Sequence, residues 1–182
     1  MYLSMRLRPP STLIATLGGK AQIITLALDC LARQNDLPGR VLVVHANANR
    51  PETAQALRRL REEFPQRFSA IALHLLELRQ NGFPLGDVTA PEEMEAAFDL
   101  LYDQTRACKL AGERVHLLIS GGRRTLTVFG MAAAQMLFDD EDRLWHLASH
   151  PALEASGALH AGPEEWVRLI PIPVIPWGRL SP

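Results

Sequence analysis

The sequence predicts an α/β protein with a mostly parallel sheet of about six strands and helices on both faces. Short apolar runs alternate with stretches of helical length along the chain, the pattern of a strand–helix–strand repeat. The run Val41, Leu42, Val43, Val44 is continuously apolar, as expected of a strand covered on both faces. The chain has 182 residues, 47% hydrophobic and 21% charged, a globular composition with enough material for one core.

The elements follow in order. A first strand is expected over residues 12–17 and a helix over 20–34, with Ile23, Leu26, Ala27 and Leu31 on one side. A second strand covers 40–45. The next helix starts at Pro51, whose fixed φ suits a first turn, and Glu52 complements the helix dipole; it runs to about residue 64. A third strand spans 70–78, and the loop 79–89 is longer than a simple connection needs, which points to binding. Thr89 is expected to cap a third helix, with Glu92 completing a capping box, and Gly112 stops that helix after Leu110. Then come a strand over 115–119, a helix over 125–138, a strand over 144–148, a loop over 150–164 and a last strand over 167–172. Pro171, Pro173 and Pro176 make this final stretch an edge or a tail, because proline donates nothing to a sheet ladder. Residues 1–10 read as an N-terminal extension and 11–182 as a single domain. Right-handed crossovers bring the turns after the first four strands to the carboxyl edge of the sheet, where such folds bind ligands.

Two of those turns are glycine-rich and basic: Thr16-Leu17-Gly18-Gly19-Lys20 and Ser120-Gly121-Gly122-Arg123-Arg124-Thr125. Glycine lets the backbone approach a ligand closely, and the free N–H groups of a new helix favour anions. Arg123 and Arg124 stand where positive charge opposes the helix dipole, so an anion is expected to complete the site. The first turn fails the G-x-G-x-x-G spacing of dinucleotide sites, and Ala21 after Lys20 fails the P-loop. Ser120 lacks the G-x-S-x-G frame of a hydrolase nucleophile. The loop after the second strand offers His45, Asn47, Asn49 and Arg50; the loop after the third offers Phe83, Asp87 and Thr89. Phe83 is either a base-stacking group or a buried anchor.

Other classes are excluded or left without support. A net charge of −1 argues against a protein that coats long nucleic acid. No apolar run reaches membrane-spanning length, no signal peptide is evident, and no metal-ligand spacing unites the six histidines and two cysteines. Cys30 and Cys108 read as reduced structural thiols in a cytoplasmic protein.

The two turns together resemble those of the CRISPR-associated CARF-domain proteins, which have a Rossmann-like fold. The likeness is greatest to their compact branch, the ring nucleases and ring-nuclease-like proteins of type III systems. Gly86-Asp87-Val88-Thr89 is similar to that branch's Asp-containing loop, and the resemblance covers about residues 11–175. It implies a homodimer with a cyclic oligoadenylate, usually the four-membered ring, on its two-fold axis. The implied reaction needs no cofactor or metal. A ribose 2′-hydroxyl attacks the adjacent phosphate, leaving linear products with 2′,3′-cyclic phosphate ends and switching off the signal. The resemblance assigns Arg123 and Arg124 to the scissile phosphate; Arg124 stands where relatives often carry lysine, which leaves Lys20 as a candidate proton donor. The ligand-binding set becomes Thr16, Gly18, Gly19, Asn47, Asp87, Thr89, Ser120, Gly121, Gly122 and Thr125. The alternatives are a non-catalytic CARF sensor or sponge that regulates a separate partner, and an unrelated nucleotide-binding α/β protein. The short chain, with no room for an effector domain, favours ring cleavage on this reading.

Overall fold

The computed structural model describes residues 9–86, 88, 90–175 and 177. In chain order the elements are β1 (Ser11–Leu17), α1 (Gln22–Arg33), β2 (Arg40–His45), α2 (Pro51–Arg67), β3 (Ala72–Glu77), β4 (Arg79–Gln80), β5 (Phe83–Pro84), α3 (Pro91–Leu110), β6 (Arg114–Leu118), α4 (Arg124–Leu137), β7 (Arg143–Ser149), α5 (Pro151–Ser156) and β8 (Val167–Ile172). Six strands form one sheet in the order β3-β2-β1-β6-β7-β8. All its pairings are parallel except β7 with β8. The result is a Rossmann-like α/β fold, as the alternation of elements predicts.

The continuous apolar strands have the reason expected. Leu13, Ala15 and Leu17 of β1 and Val41 and Val43 of β2 join the core under α1 and α2. The intervening Ile14, Leu42 and Val44 join the opposite core with α3 and α4. Both faces are covered, which accounts for the apolar runs; the buried Thr12 and Thr16 of β1 satisfy their hydroxyls with Glu113 and the Gly121 carbonyl. Cys30 and Cys108 are free and buried.

Three local expectations are corrected. The loop after β3 holds a two-stranded hairpin, β4–β5, turned by Asn81 and Gly82 at φ 49° and 83°. The segment after β7 contains α5. Helix α3 begins at Pro91 with Ala90 before it, and Glu93, not Glu92, reaches back to the Ala90 N–H at 2.9 Å. Pro91 shifts the helix start by one residue and the capping frame moves with it. Thr89 lies outside the described residues.

The end of the sheet where the parallel strands begin is closed by ion pairs. Arg40 meets Glu113 at 2.9 Å, Arg114 grips Asp36 through two guanidinium nitrogens, and Lys109 lies 2.7 Å from Asp139 and from the buried Asp142. Asp142 also accepts the Val115 and Asp139 N–H groups. Next to them His116 is fully buried, with Nδ1 accepting the Trp145 indole N–H at 3.0 Å. Burial holds its pKa down at about 4, against the pull of Asp36.

This has a consequence for stability. Between about pH 6.5, the ordinary histidine value, and pH 4 the unfolded chain takes up a proton at His116 that the folded chain does not. Stability therefore falls as pH drops through this window, by about 3 kcal/mol, and His116→Gln should remove that part of the slope in urea titrations across the range.

Candidate functional site

The strand order reverses between β1 and β6. In their register Ala15 lies beside Leu118, so both strands stop at nearly the same level and their outgoing turns meet. The Thr16 hydroxyl donates to the Gly121 carbonyl, joining the turns across the gap. A Cβ on Gly121 would fall on the Thr16 carbonyl oxygen, and one on Gly18 would lie 3.3 Å from the backbone of Gly122. Gly122 itself has φ +83°, and a Cβ on Gly19 would stand 2.9 Å from Glu52 Cβ. Three glycines thus allow two backbones to touch, and a fourth lets α2 pack against the first turn.

The turns open into helices α1 and α4. Neither has a side-chain cap or an acid in its first turn. By contrast α2 carries Glu52 there, and α3 carries Glu92 and Glu93. Arg123 is the cap residue of α4 and Arg124 its first helical residue; Lys20 lies just ahead of α1. The first N–H groups of any helix lack intrahelical partners and carry the positive end of its dipole. Two such ends, side by side and supplemented by basic residues, suit a ligand with several negative charges.

A cleft lies on each side of the joined turns. The first, about 260 Å³, presents Gly18, Gly19, Arg50, Glu52, Gly122 and Arg123 against an apolar wall of Leu17, Leu78, Val88 and Leu126. The second, about 340 Å³, is more polar, with Lys20, Gln22, Ser120, His146 and Glu154.

The sequence-predicted residues divide between these surroundings. Gly18, Gly19, Gly122 and Arg123 line the first cleft. Lys20 and Ser120 line the second, with Lys20 Nζ 2.6 Å from Glu154, whose carboxyl it holds below the usual range. Arg124 is exposed and outside both clefts. Thr16 and Gly121 are buried and join the turns. Asn47 Oδ1 accepts the Asn49 N–H at 2.8 Å, which shapes its own loop. Thr125 Oγ1 is buried without a hydrogen-bond partner. Asp87 and Thr89 lie outside the described residues. Phe83 is 76% exposed on the hairpin, so it is not a buried anchor. Among the described residues no group of three His, Cys, Asp or Glu side chains is arranged to hold a metal ion, and no helix is long and apolar enough to cross a membrane.

The family described as CRISPR-associated protein NE0113 matches residues 20–181, most of the chain. The chain belongs to that family. Among solved structures, a type III CRISPR defence DNA nuclease activated by cyclic oligoadenylate aligns with 77% of this chain at 18% identity and a TM-score of 0.48. The aligned part is 19% of that nuclease, so this chain spans about a fifth of its length. No curated protein matches.

Two features of the site depend on the fold. Arg50, offered by the loop after β2, and Glu52, read in the sequence only as a helix-start acid, line the first cleft because α2 begins at the same edge. His146 ends up beside Ser120, its Nδ1 3.2 Å from Ser120 Oγ. The signal for it was position: β7 runs parallel to β6, so its later residues approach the same edge.

The packing of the turns gives a direct expectation. Gly121→Ala must push the turns apart and should cost about 1–3 kcal/mol in denaturant unfolding, the range for overpacking a tight site. Gly86→Ala, with nothing near its Cβ, should leave the unfolding midpoint almost unchanged.

Proposed function

We propose that this protein binds a cyclic oligoadenylate at the joined turns, as a homodimer, and cleaves it without a metal ion. The observation that carries the proposal is the pair of adjoining helix starts, basic and free of first-turn acids, in a member of a CRISPR-associated family. A ring of phosphates has a charge at every step and a symmetry of its own, which suits two copies of one edge facing across a two-fold axis. The −1 net charge fits a compact anion held locally better than a long polymer.

Cleavage in this scheme asks little of the protein. It must hold the ribose 2′-hydroxyl in line with the departing 5′-oxygen and neutralise the phosphoryl oxygens. Arg123, in the cleft, and Arg124, beside it on the first helical turn, supply the neutralisation; arginine stays charged and makes a poor acid. Lys20 has a transferable proton and serves the leaving oxygen. The products are linear, with 2′,3′-cyclic phosphate ends, and their formation ends the signal in the cytoplasm where type III systems work.

One observation favours a second reading. Lys20 is paired with Glu154 at 2.6 Å, so a substrate must compete with that carboxylate for it. A sensor that keeps the ring intact and regulates a partner needs no such donor.

The two readings part in one assay. Purified protein in EDTA, incubated with cyclic tetra-adenylate and separately with cyclic hexa-adenylate, should yield linear products by chromatography. Ring that is bound but intact after prolonged incubation with excess protein establishes the sensor instead. Loss of one charge-assisted phosphate contact is worth about 1.5–3 kcal/mol, so Arg123→Ala should weaken ring binding roughly 10- to 100-fold by calorimetry. Arg124→Ala should weaken it less, because that side chain lies outside the cleft. Unchanged binding in both variants would remove these arginines from the site.

A further inference from the structure

The second cleft holds an acid–base arrangement that phosphate binding does not explain. Ser120 follows the end of β6, and its Oγ accepts the Leu147 N–H of β7 at 2.6 Å. That bond fixes the hydroxyl between two neighbouring strand ends. His146, one residue earlier on β7, is exposed, and its Nδ1 lies 3.2 Å from the same Oγ. One ring nitrogen is anchored and Nε2 has no hydrogen bond to a described residue. The charged groups lining the same cleft are Lys20 and Glu154, 2.6 Å apart, and the strand on the far side sets Ile170 opposite His146. A solvated surface histidine has neither ring nitrogen fixed. Here a backbone-held serine orients the ring in a polar cleft of about 340 Å³ that adjoins the glycine turns.

We propose, on the reading that this edge binds cyclic oligoadenylate, that His146 is the general base of ring cleavage and Ser120 its positioning residue. In the tautomer that carries its proton on Nδ1, Ser120 Oγ accepts Nδ1–H and the Nε2 lone pair is available to the cleft. Nε2 takes the proton of the ribose 2′-hydroxyl as the O2′–P bond forms. The P–O5′ bond breaks, and the departing O5′ takes a proton from the Lys20 ammonium. Water carries the His146 proton back to Lys20, so the protein returns to its starting state. One phosphodiester becomes a 2′,3′-cyclic phosphate and a 5′-hydroxyl, with no oxidant, reductant or co-reactant consumed. The arginines of the first cleft and this pair flank the same turns, so a nucleotide chain laid across them meets charge neutralisation on one side and proton transfer on the other.

The test uses the full chain with cyclic tetra-adenylate, as wild type, His146→Ala, His146→Gln and Ser120→Ala. Binding is measured by calorimetry, single-turnover cleavage by chromatography from pH 5 to 9, and folding by thermal melts. Both His146 variants should bind the ring within about threefold of wild type yet cleave it at least ~100-fold more slowly, the scale of a lost general base. They should lose the fall in rate on the acid side of the profile, and added imidazole should restore part of the rate. Ser120→Ala should keep that acid limb but shift its midpoint, which loss of a merely structural contact would not do. Cleavage by the His146 variants at the wild-type rate, or with the acid limb intact, overturns the assignment. So does a wild type that binds the ring and never cuts it. A wild type that does not bind the ring at all refutes the underlying reading of this edge, and the role of His146 with it.

Discussion

The close contact of two backbones at the end of β1 and β6 governs the rest of the carboxyl edge. Thr16 and Gly121 are joined by a side-chain hydrogen bond, and Gly18 stacks on Gly122 with no room for a Cβ at full comfort. This contact sets where α1 and α4 begin and brings their positive ends together. It also divides the surrounding space into two clefts, one with Arg50 and Arg123 and the other with Lys20 and His146. The small size of the glycines is required first by the neighbouring turn, and the meeting of the two helix starts follows from that packing.

Charge is distributed unequally between the two ends of the sheet. At the amino end, Arg40, Lys109 and Arg114 each meet an acid, and burial keeps His116 neutral. At the carboxyl end, Lys20 and Arg124 stand at helix starts that lack first-turn acids. Lys20 meets Glu154 in a solvent-exposed pair, so the two ends differ in burial: the pairs at the amino end are largely buried, and the basic groups at the carboxyl end face solvent. Removing one member of a buried pair such as Lys109–Asp142 leaves an uncompensated charge, whereas a helix-end arginine can lose its side chain with little structural cost.

Much of this was legible in the chain. The uninterrupted Val41–Val44 run located β2 to the residue, and the prolines near 171 marked β8 as an edge strand, which it is. The hairpin β4–β5 escaped because each arm has two residues, although Asn81-Gly82 is a strong turn signal on its own. Helix α5 escaped because six residues give too little periodicity to register. The two glycine turns marked the candidate site through local composition. His146 did not, because its significance depends on strand order: only the pairing of β6 with β7 brings it to Ser120. Short-range chemistry was readable, and juxtapositions across strands required the fold.

The most direct test of the joined-turn account is a backbone amide titration by NMR with cyclic tetra-adenylate. The account predicts that the amide signals of Gly18, Gly19, Gly121 and Gly122 move together and saturate with one dissociation constant. Signals of residues at the opposite end of the sheet, such as Arg40 and Val115, should stay in place. Shifts confined to one turn, or centred away from both, would contradict the claim that the two turns form a single anion site.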